Sequence, residues 1–532
     1  MNCTAQRLKY KQTGVFSKLV VDYLQESPQL NSFFAYSTNI DGIKNAIAER
    51  KQYLTNRNLL VAQLKNQYAG IHTSIEVQQN IELLLNENTF TITTAHQPNL
   101  FTGPLYFLYK ILHAIKLATS LTQELKANNY VPVYYMGSED ADVDELAHFW
   151  LSGQKKEWKT EQSGAFGRFI IDKELVKLID AMAGELGVQP FGNEVIDKLR
   201  NYYKVGTTIQ QATFELVNDL FGHYGLLVLI ADAPVLKQQM CDAFADELLQ
   251  HNSSKLVAQT AKQLQRYYKV QAGGREINLF YLDEDIRERI EVSGDGYVVA
   301  NTTIRFTKDE MLNELKEHPE RFSPNVILRG LYQETILPNI VFIGGGGEIA
   351  YWLELKNVFQ FYKVPFPVLI LRNSFLIVEK KWQDKLQKLN LTSEQAFQPV
   401  ETLLHIIVQK ESKHVLKLND SFLTAAHFYE QLKQQAAAVD ITLSQHVDAL
   451  KTKAIDRLQE LEKKIVRAEK RKFSNERNQI QQMKTGLFPN NGLQERVDNF
   501  SWYYAKWGKG FIQMLYEQSL ALEQEFVILN EA

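Results

Sequence analysis

Between residues 91 and 372 the chain alternates short β-branched or apolar runs with longer helix-patterned ones. The strand-like runs are "FTITTA", "YVPVYYM", "GLLVLIAD" (225–232), "NIVFIGG" (339–345) and "FPVLILR" (366–372). Each borders a run with helical spacing, such as "PLYFLYKILHAIKLATSL" or "GEIAYWLELKNVFQFY". Strands that alternate with helices predict an α/β fold with a mainly parallel, doubly wound sheet. Sheets of that kind hold ligands beyond the carboxyl ends of their strands. The turns that follow these five runs are therefore the first places to look for chemistry.

The flanks read differently. Residues 1–90 are mostly helical in pattern, with Thr13 and Ser74 as helix starts. Residues 273–306 carry "GDG" between two β-rich runs, which predicts a hairpin in an antiparallel insertion. From 375 to 532 the pattern is helical. Ala454, Leu458, Leu461, Ile465 and Ala468 follow the coiled-coil step. "TGLFPNNG" (485–492) reads as a reversal, and "LQERVDNFSWYYAKW" as the start of the returning helix of an antiparallel hairpin. Three regions follow: a helical segment 1–90, an α/β core 91–374 and a helical coiled coil 375–532. Segment 451–480 holds ten Lys or Arg against five Asp or Glu. That basic face is a solvated coiled-coil surface or a phosphate-binding one.

Composition excludes several classes. A formal net charge of -3 carries no nucleic-acid signature. Cys3 and Cys241 are the only cysteines, which argues against a disulfide scaffold or a cysteine-rich zinc site and fits a reducing cytoplasm. No run of about 18 apolar residues is present to span a membrane, and the N-terminus lacks a signal-peptide core. The eleven histidines form no H-E-x-x-H motif and no metal set, and there is no G-x-S-x-G elbow.

Four turns hold the candidate residues. "TITTAHQPNLFTGPLYFLYK" (91–110) gathers His96, Gln97, Asn99, Thr102 and Gly103 where a strand hands over to a helix. Backbone N–H groups at such a place can meet an anion, and a purely structural turn is the competing reading. "GSEDADVDELAHF" (137–149) packs five carboxylates into seven positions, which repel unless balanced. Its spacing fails as an EF-hand, with Glu145 where glycine is needed and Leu151 where glutamate is needed. Helix capping accounts for part of the run. Glu139 and Asp140, next to the strand, are candidates to bind an amine or act as general base. "IGGGGEIAYWLELK" (343–356) places Gly344, Gly345, Gly346 and Gly347 where backbone can approach a ligand. It fails the dinucleotide fingerprint at Ile349 and lacks a Walker lysine. Glu348 caps the following helix or faces the cleft. Arg372 in "LRNS" is placed to pair with a substrate carboxylate or to neutralise the acids.

The stretches "LFTGPLYFLYKILHAI", "VPVYYMGSEDADVDEL", "GGGGEIAYWLELKNVF", "FPVLILRNS" and "LQERVDNF", in this order, resemble the BshC family, the cysteine ligases of bacillithiol biosynthesis. The resemblance covers nearly the whole chain. It implies a Rossmann-like core with inserted segments, a C-terminal coiled coil used for homodimerisation, and condensation of L-cysteine with glucosaminyl malate. Amide formation needs an activated carboxyl group. Cysteine must then arrive activated or be activated by ATP, and a nucleotide would use Gly344–Gly347 or the basic helical face. The catalytic candidates are His96, Glu139 and Asp140, with Gln97, Asn99, Thr102, Gly103, Glu348 and Arg372 binding substrate. The chain departs from the family where Thr-Gly-Gln-Gln is common, carrying Thr94, Ala95, His96 and Gln97 instead. Ala141 stands where the family has histidine, and Gly345 or Gly346 where proline is common. An essential histidine at 141 is excluded. The rival reading is a non-catalytic dimeric scaffold on a degenerate nucleotide-binding fold. The acids, glycines and donors gathered at strand ends favour the enzyme.

Overall fold

The five strand-like runs form β1 (Thr89–His96), β2 (Asn129–Met136), β3 (Leu227–Ile230), β4 (Asn339–Gly344) and β5 (Val368–Leu371). A computed structural model, describing residues 3–270 and 273–532, pairs them all in parallel in the order β5-β4-β1-β2-β3. The chain thus runs outward from β1 through β2 to β3, then crosses back to β4 and β5. The strand order reverses between β1 and β4, which makes the crevice above them the topological switch point.

β1 is buried on both faces, as parallel strands are. Its threonines at 91, 93 and 94 are satisfied inside the sheet. Thr91 and Thr93 donate through Oγ1 to Asn339 Oδ1 at 3.1 and 2.8 Å. Thr94 Oγ1 donates to the Ile343 carbonyl at 2.9 Å. On one face of the sheet, Ala114, Leu117 and Leu121 meet Phe90, Ile92, Val341 and Ile370, together with Ile43 and Ile47. Those side chains come from helices α1 (Ile40–Arg50) and α2 (Tyr106–Glu124).

Three features depart from the sequence expectation. First, strands flank the helical N-terminal region and persist after Arg372. Phe526–Glu531 lies between Cys3–Leu8 and Ser374–Val378 in a three-stranded sheet. Second, the insertion is larger than 273–306. It is an antiparallel sheet of five strands that runs from Leu279–Asp283 to Phe322–Pro324, with Gly294 in the tight turn at φ +60°. Third, the acidic run is followed by a single helical turn, Val143–Leu146, and then a hairpin of His148–Leu151 with Gln154–Glu157.

The described chain divides into two compact units, one reaching Ile377 and resuming at Gly492–Asn530, the other Val378–Asn491. The second unit holds the coiled coil, but its reversal is not at 485–492. Helices α3 (Asn419–Val439) and α4 (Leu443–Lys472) turn at Asp440, whose Oδ1 accepts the Thr442 N–H at 2.8 Å. Lys433 pairs with Asp448 and Lys451 with Glu430, so the two helices run antiparallel. The segment "LQERVDNF" does not return along α4. It belongs to the first unit, where Gln494, Glu495 and Asn499 are buried. Of the predicted seam, Leu458 and Ile465 are half-buried, while Leu461 is 47% exposed. On the basic face, Lys470 and Arg477 both pair with Glu401.

Candidate active site

A cavity of about 410 Å³ opens onto the carboxyl ends of all five strands. β1 contributes Ala95, His96 and Gln97; β2 leads to Ser138, Glu139 and Asp140; β3 leads to Asp232; β4 leads to Gly345, Gly346, Gly347 and Glu348; β5 leads to Arg372.

The β2–β3 side is acidic and tightly held. Lys237 is fully buried and pairs with Glu139 and, at 3.2 Å, with Asp232. Arg168 grips Asp232 with two hydrogen bonds of 2.7 and 2.9 Å. Negative and positive groups alternate along this chain of contacts, which is how buried charges are tolerated. Burial pushes the Glu139 carboxyl pKa up, and Lys237 opposes it. Burial also works against the Asp232 carboxylate, but Lys237 and Arg168 outweigh it and hold its pKa below the ordinary value. Asp140 accepts a hydrogen bond from Gln97 Nε2 at 3.0 Å and lies 3.9 Å from Arg287. Asp142 caps the helical turn that follows, and Asp144 and Glu145 lie in its first turn. Glu145 also lines the cavity.

The β1–β4–β5 side is cationic. Lys110, from α2, donates to the Ala95 carbonyl at 2.9 Å and pairs with Glu348. Arg372 donates to Glu495 at 2.7 Å, to the Asn373 carbonyl at 3.0 Å and to Ser374 Oγ at 3.1 Å. Its outer nitrogens are thus committed to the protein. The pairing with a substrate carboxylate expected of Arg372 is replaced by a single hydrogen bond to Glu495, and what Arg372 brings to the cavity is charge. Arg329 stands on Val326–Ile336 and donates to Tyr351 Oη. His96 packs edge-on against Tyr106 and beside Phe107. Burial, with Lys110, Arg372 and Arg329 nearby, holds its pKa well below the ordinary value, so the imidazole is neutral at pH 7.

At the glycine turn one backbone donor is already taken. The Gly345 N–H donates to Glu348 Oε2 at 2.8 Å, so a carboxylate already takes the donor that an incoming anion would need. Packing accounts for two of the glycines. A Cβ at Gly344 would stand 2.8 Å from the Phe342 ring, and one at Gly346 would stand 3.0 Å from Val20.

Asn99, Thr102 and Gly103 are not among the residues that line the cavity. They form a strained turn, with Phe101 and Thr102 at φ +50° and +69°. Asn499 Nδ2 holds it by donating to the carbonyls of Phe101 and Gly103 at 2.9 and 2.7 Å. Gly103, at φ +62°, lies so close to Asn99 that a Cβ would approach its side chain to 2.8 Å.

Sequence reasoning missed Lys110, Asp232, Lys237, Arg287 and Arg329. A signal existed for two of them. Lys110 interrupts the apolar run "YFLYKILHAI", and Asp232 ends the run "GLLVLIAD". Lys237 ends the short helix Pro234–Lys237 that directly follows β3, while Arg287 and Arg329 arrive from elements that no local spacing ties to the sheet.

Comparison with known proteins agrees with the geometry. The family model described as "Bacillithiol biosynthesis BshC, N-terminal Rossmann-like domain" matches residues 1–373. The model of the C-terminal coiled-coil domain of the same family matches residues 375–531. A protein of Flavobacterium psychrophilum named "Putative cysteine ligase BshC" is 41% identical over 99% of this chain and 99% of its own. Proteins of the same name from Flavobacterium johnsoniae and Christiangramia forsetii are 40% and 37% identical, each over 98% of this chain and over 99% and 98% of their own. With both of its regions matched and its relatives aligned from end to end, the chain belongs to the BshC family.

Proposed function

We propose that the strand-end cavity is the active site of a ligase that condenses L-cysteine with glucosaminyl malate, forming the amide bond of bacillithiol. The observation that carries this reading is the division of one cavity into an acidic half and a cationic half at the topological switch point. The relatives' shared name, cysteine ligase, supplies the donor amino acid.

The amine of the sugar is the nucleophile and belongs in the acidic half. It attacks the carbonyl carbon of cysteine presented as an activated acyl donor. The new carbon–nitrogen bond forms, the amine proton passes to Glu139, and the leaving group departs with its electron pair. Burial makes Glu139 a stronger base than an exposed carboxylate, while Lys237 still favours its ionised form. Asp140, oriented by Gln97, holds the ammonium form before attack. The cationic half, with His96, Lys110, Arg329 and Arg372, takes the negative charge of the acceptor.

We further propose that α3 and α4 join a second copy of the chain. Leu423, Phe428 and Leu461 on these helices are 71%, 53% and 47% exposed. Large apolar side chains left in water forfeit burial that a partner copy would recover.

The test uses a bacillithiol-producing host that lacks its own family member. Supplying this chain should restore bacillithiol, measured by thiol labelling of extracts. A folded, expressed chain that restores none would refute the ligase reading and favour the scaffold.

A further inference from the structure

Among the described residues, four buried polar atoms of the cavity lining have no hydrogen-bond partner: Glu139 Oε1, which is taken by its ion pair with Lys237, and three donors, Arg329 Nη1, His96 Nε2 and Ser138 Oγ. Folded proteins pair the great majority of such atoms, and a buried guanidinium nitrogen left alone is costly. These three are not scattered. Each belongs to the one cavity, and Arg329 is close enough to His96 to depress the imidazole's basicity.

The rest of Arg329 is fixed. Its other outer nitrogen donates to Tyr351, and its guanidinium faces the Tyr135 ring at 5.8 Å. A cation so anchored is pre-organised, which is what recognition of a carboxylate requires. Lys110 and Arg372 add positive charge from the same side but are spent on Glu348 and Glu495. Arg329 is the one of these three with a buried nitrogen still unpaired.

We infer that Arg329, His96 and Ser138 form a subsite for a dicarboxylate, with Arg329 as the residue that selects it. This rests on the proposed ligase reading, in which the acceptor carries a malyl group with two carboxylates. Arg329 Nη1 donates to a carboxylate oxygen, His96 donates from Nε2, and Ser138 donates its hydroxyl. The charge balance favours a dicarboxylate over the zwitterion of cysteine. An amino acid would bring its ammonium, one carbon from its carboxylate, among Lys110, Arg329 and Arg372. The malyl group brings no positive charge. The sugar amine is then left toward Glu139 and Asp140.

The probe is L-malate, titrated calorimetrically into the full chain. The parent should bind it saturably, and L-cysteine should not displace it. Arg329→Gln should weaken binding at least about 30-fold, the size expected when one member of a buried charged contact is truncated. His96→Phe keeps the packing against Tyr106 and Phe107 and removes only the donor. It should weaken malate about three- to ten-fold, as for one neutral hydrogen bond, and it decides the matter if Arg329→Gln does not fold. No malate binding by the parent, unchanged affinity in the folded variants, or displacement by L-cysteine would each overturn the subsite. Malate binding that depends on Arg329, in a chain that does not restore bacillithiol, would uphold the subsite and remove the ligase reading.

Discussion

The two units differ in how they hold charge and in how densely they expose large apolar side chains. The α/β unit buries ion pairs: Arg50 with Glu334, Arg372 with Glu495, and Lys237 with Glu139. The helical unit leaves Leu423, Phe428 and Leu461 exposed. Burying charge is costly unless every partner is supplied, and it gives little stability over an apolar core. Exposing apolar side chains in a row forfeits burial that a partner could recover. The proposed chemistry lies in one unit and the proposed association surface in the other.

The largest change should come from breaking the surface of the helical unit. Leu423→Glu with Leu461→Glu puts charge on exposed positions, so α3 and α4 should keep their fold. Light scattering should then give the mass of one chain. A dimer that survives would remove the proposed interface.

Next in size is the buried pair of the α/β unit. Glu495 accepts from Arg372, Ser374 and the Phe375 N–H, and none of these has water to turn to. Glu495→Ala should lower stability by about 3–5 kcal/mol in denaturant unfolding, as for a buried charge left alone. A loss below about 1 kcal/mol would mean the pair is better hydrated than its burial implies.

A smaller effect follows from pH. His113, on α2, is fully buried; its Nδ1 accepts the Asn373 N–H, so Nε2–H donates to the Ala521 carbonyl at 2.7 Å. Burial lowers its pKa to about 4. The unfolded chain takes up this proton below about pH 6.5 and the folded chain does not. Stability from His113 is therefore complete above pH 6.5 and is lost as pH falls toward 4. At pH 5 the loss should be about 2 kcal/mol. His113→Gln should flatten the stability profile between those limits, and an unchanged slope would contradict the assignment.

The smallest effect belongs to the solvent side of the acidic run. Asp144 lies in the first turn of Val143–Leu146, where a negative charge complements the helix dipole. Asp144→Asn should cost about 0.3–1 kcal/mol and leave bacillithiol formation within a few-fold of the parent. A large loss of product would move the active site along the run.

The five core strands were legible because β-branched and apolar runs alternate with helical ones, a local signal. The strands Cys3–Leu8 and Phe526–Glu531 were not, since their pairing depends on segments more than 500 residues apart. The coiled-coil step pointed to α4, but its partner is set by the short turn at Asp440 rather than by "TGLFPNNG". In the cavity, the ends of β1, β2, β4 and β5 drew notice as turns rich in polar residues or glycine. Arg287 and Arg329 did not, because they reach it from the inserted sheet and from a flanking helix. Arg372 was noticed for the right strand end, yet its partner, Glu495, lies 123 residues away.

In the proposed mechanism Glu139 and Asp140 are the acids that handle the amine. Each should be replaced, Glu139→Gln and Asp140→Asn, with bacillithiol formation followed by thiol labelling and each variant's melting temperature recorded. Each variant should lose at least about 100-fold in rate, the scale of a positioned general base, with little change in melting temperature for Asp140→Asn and a lowered one for Glu139→Gln, which takes one of its two carboxylate partners from buried Lys237. Near-parental rates in both variants would contradict the mechanism and leave the segment a helix cap.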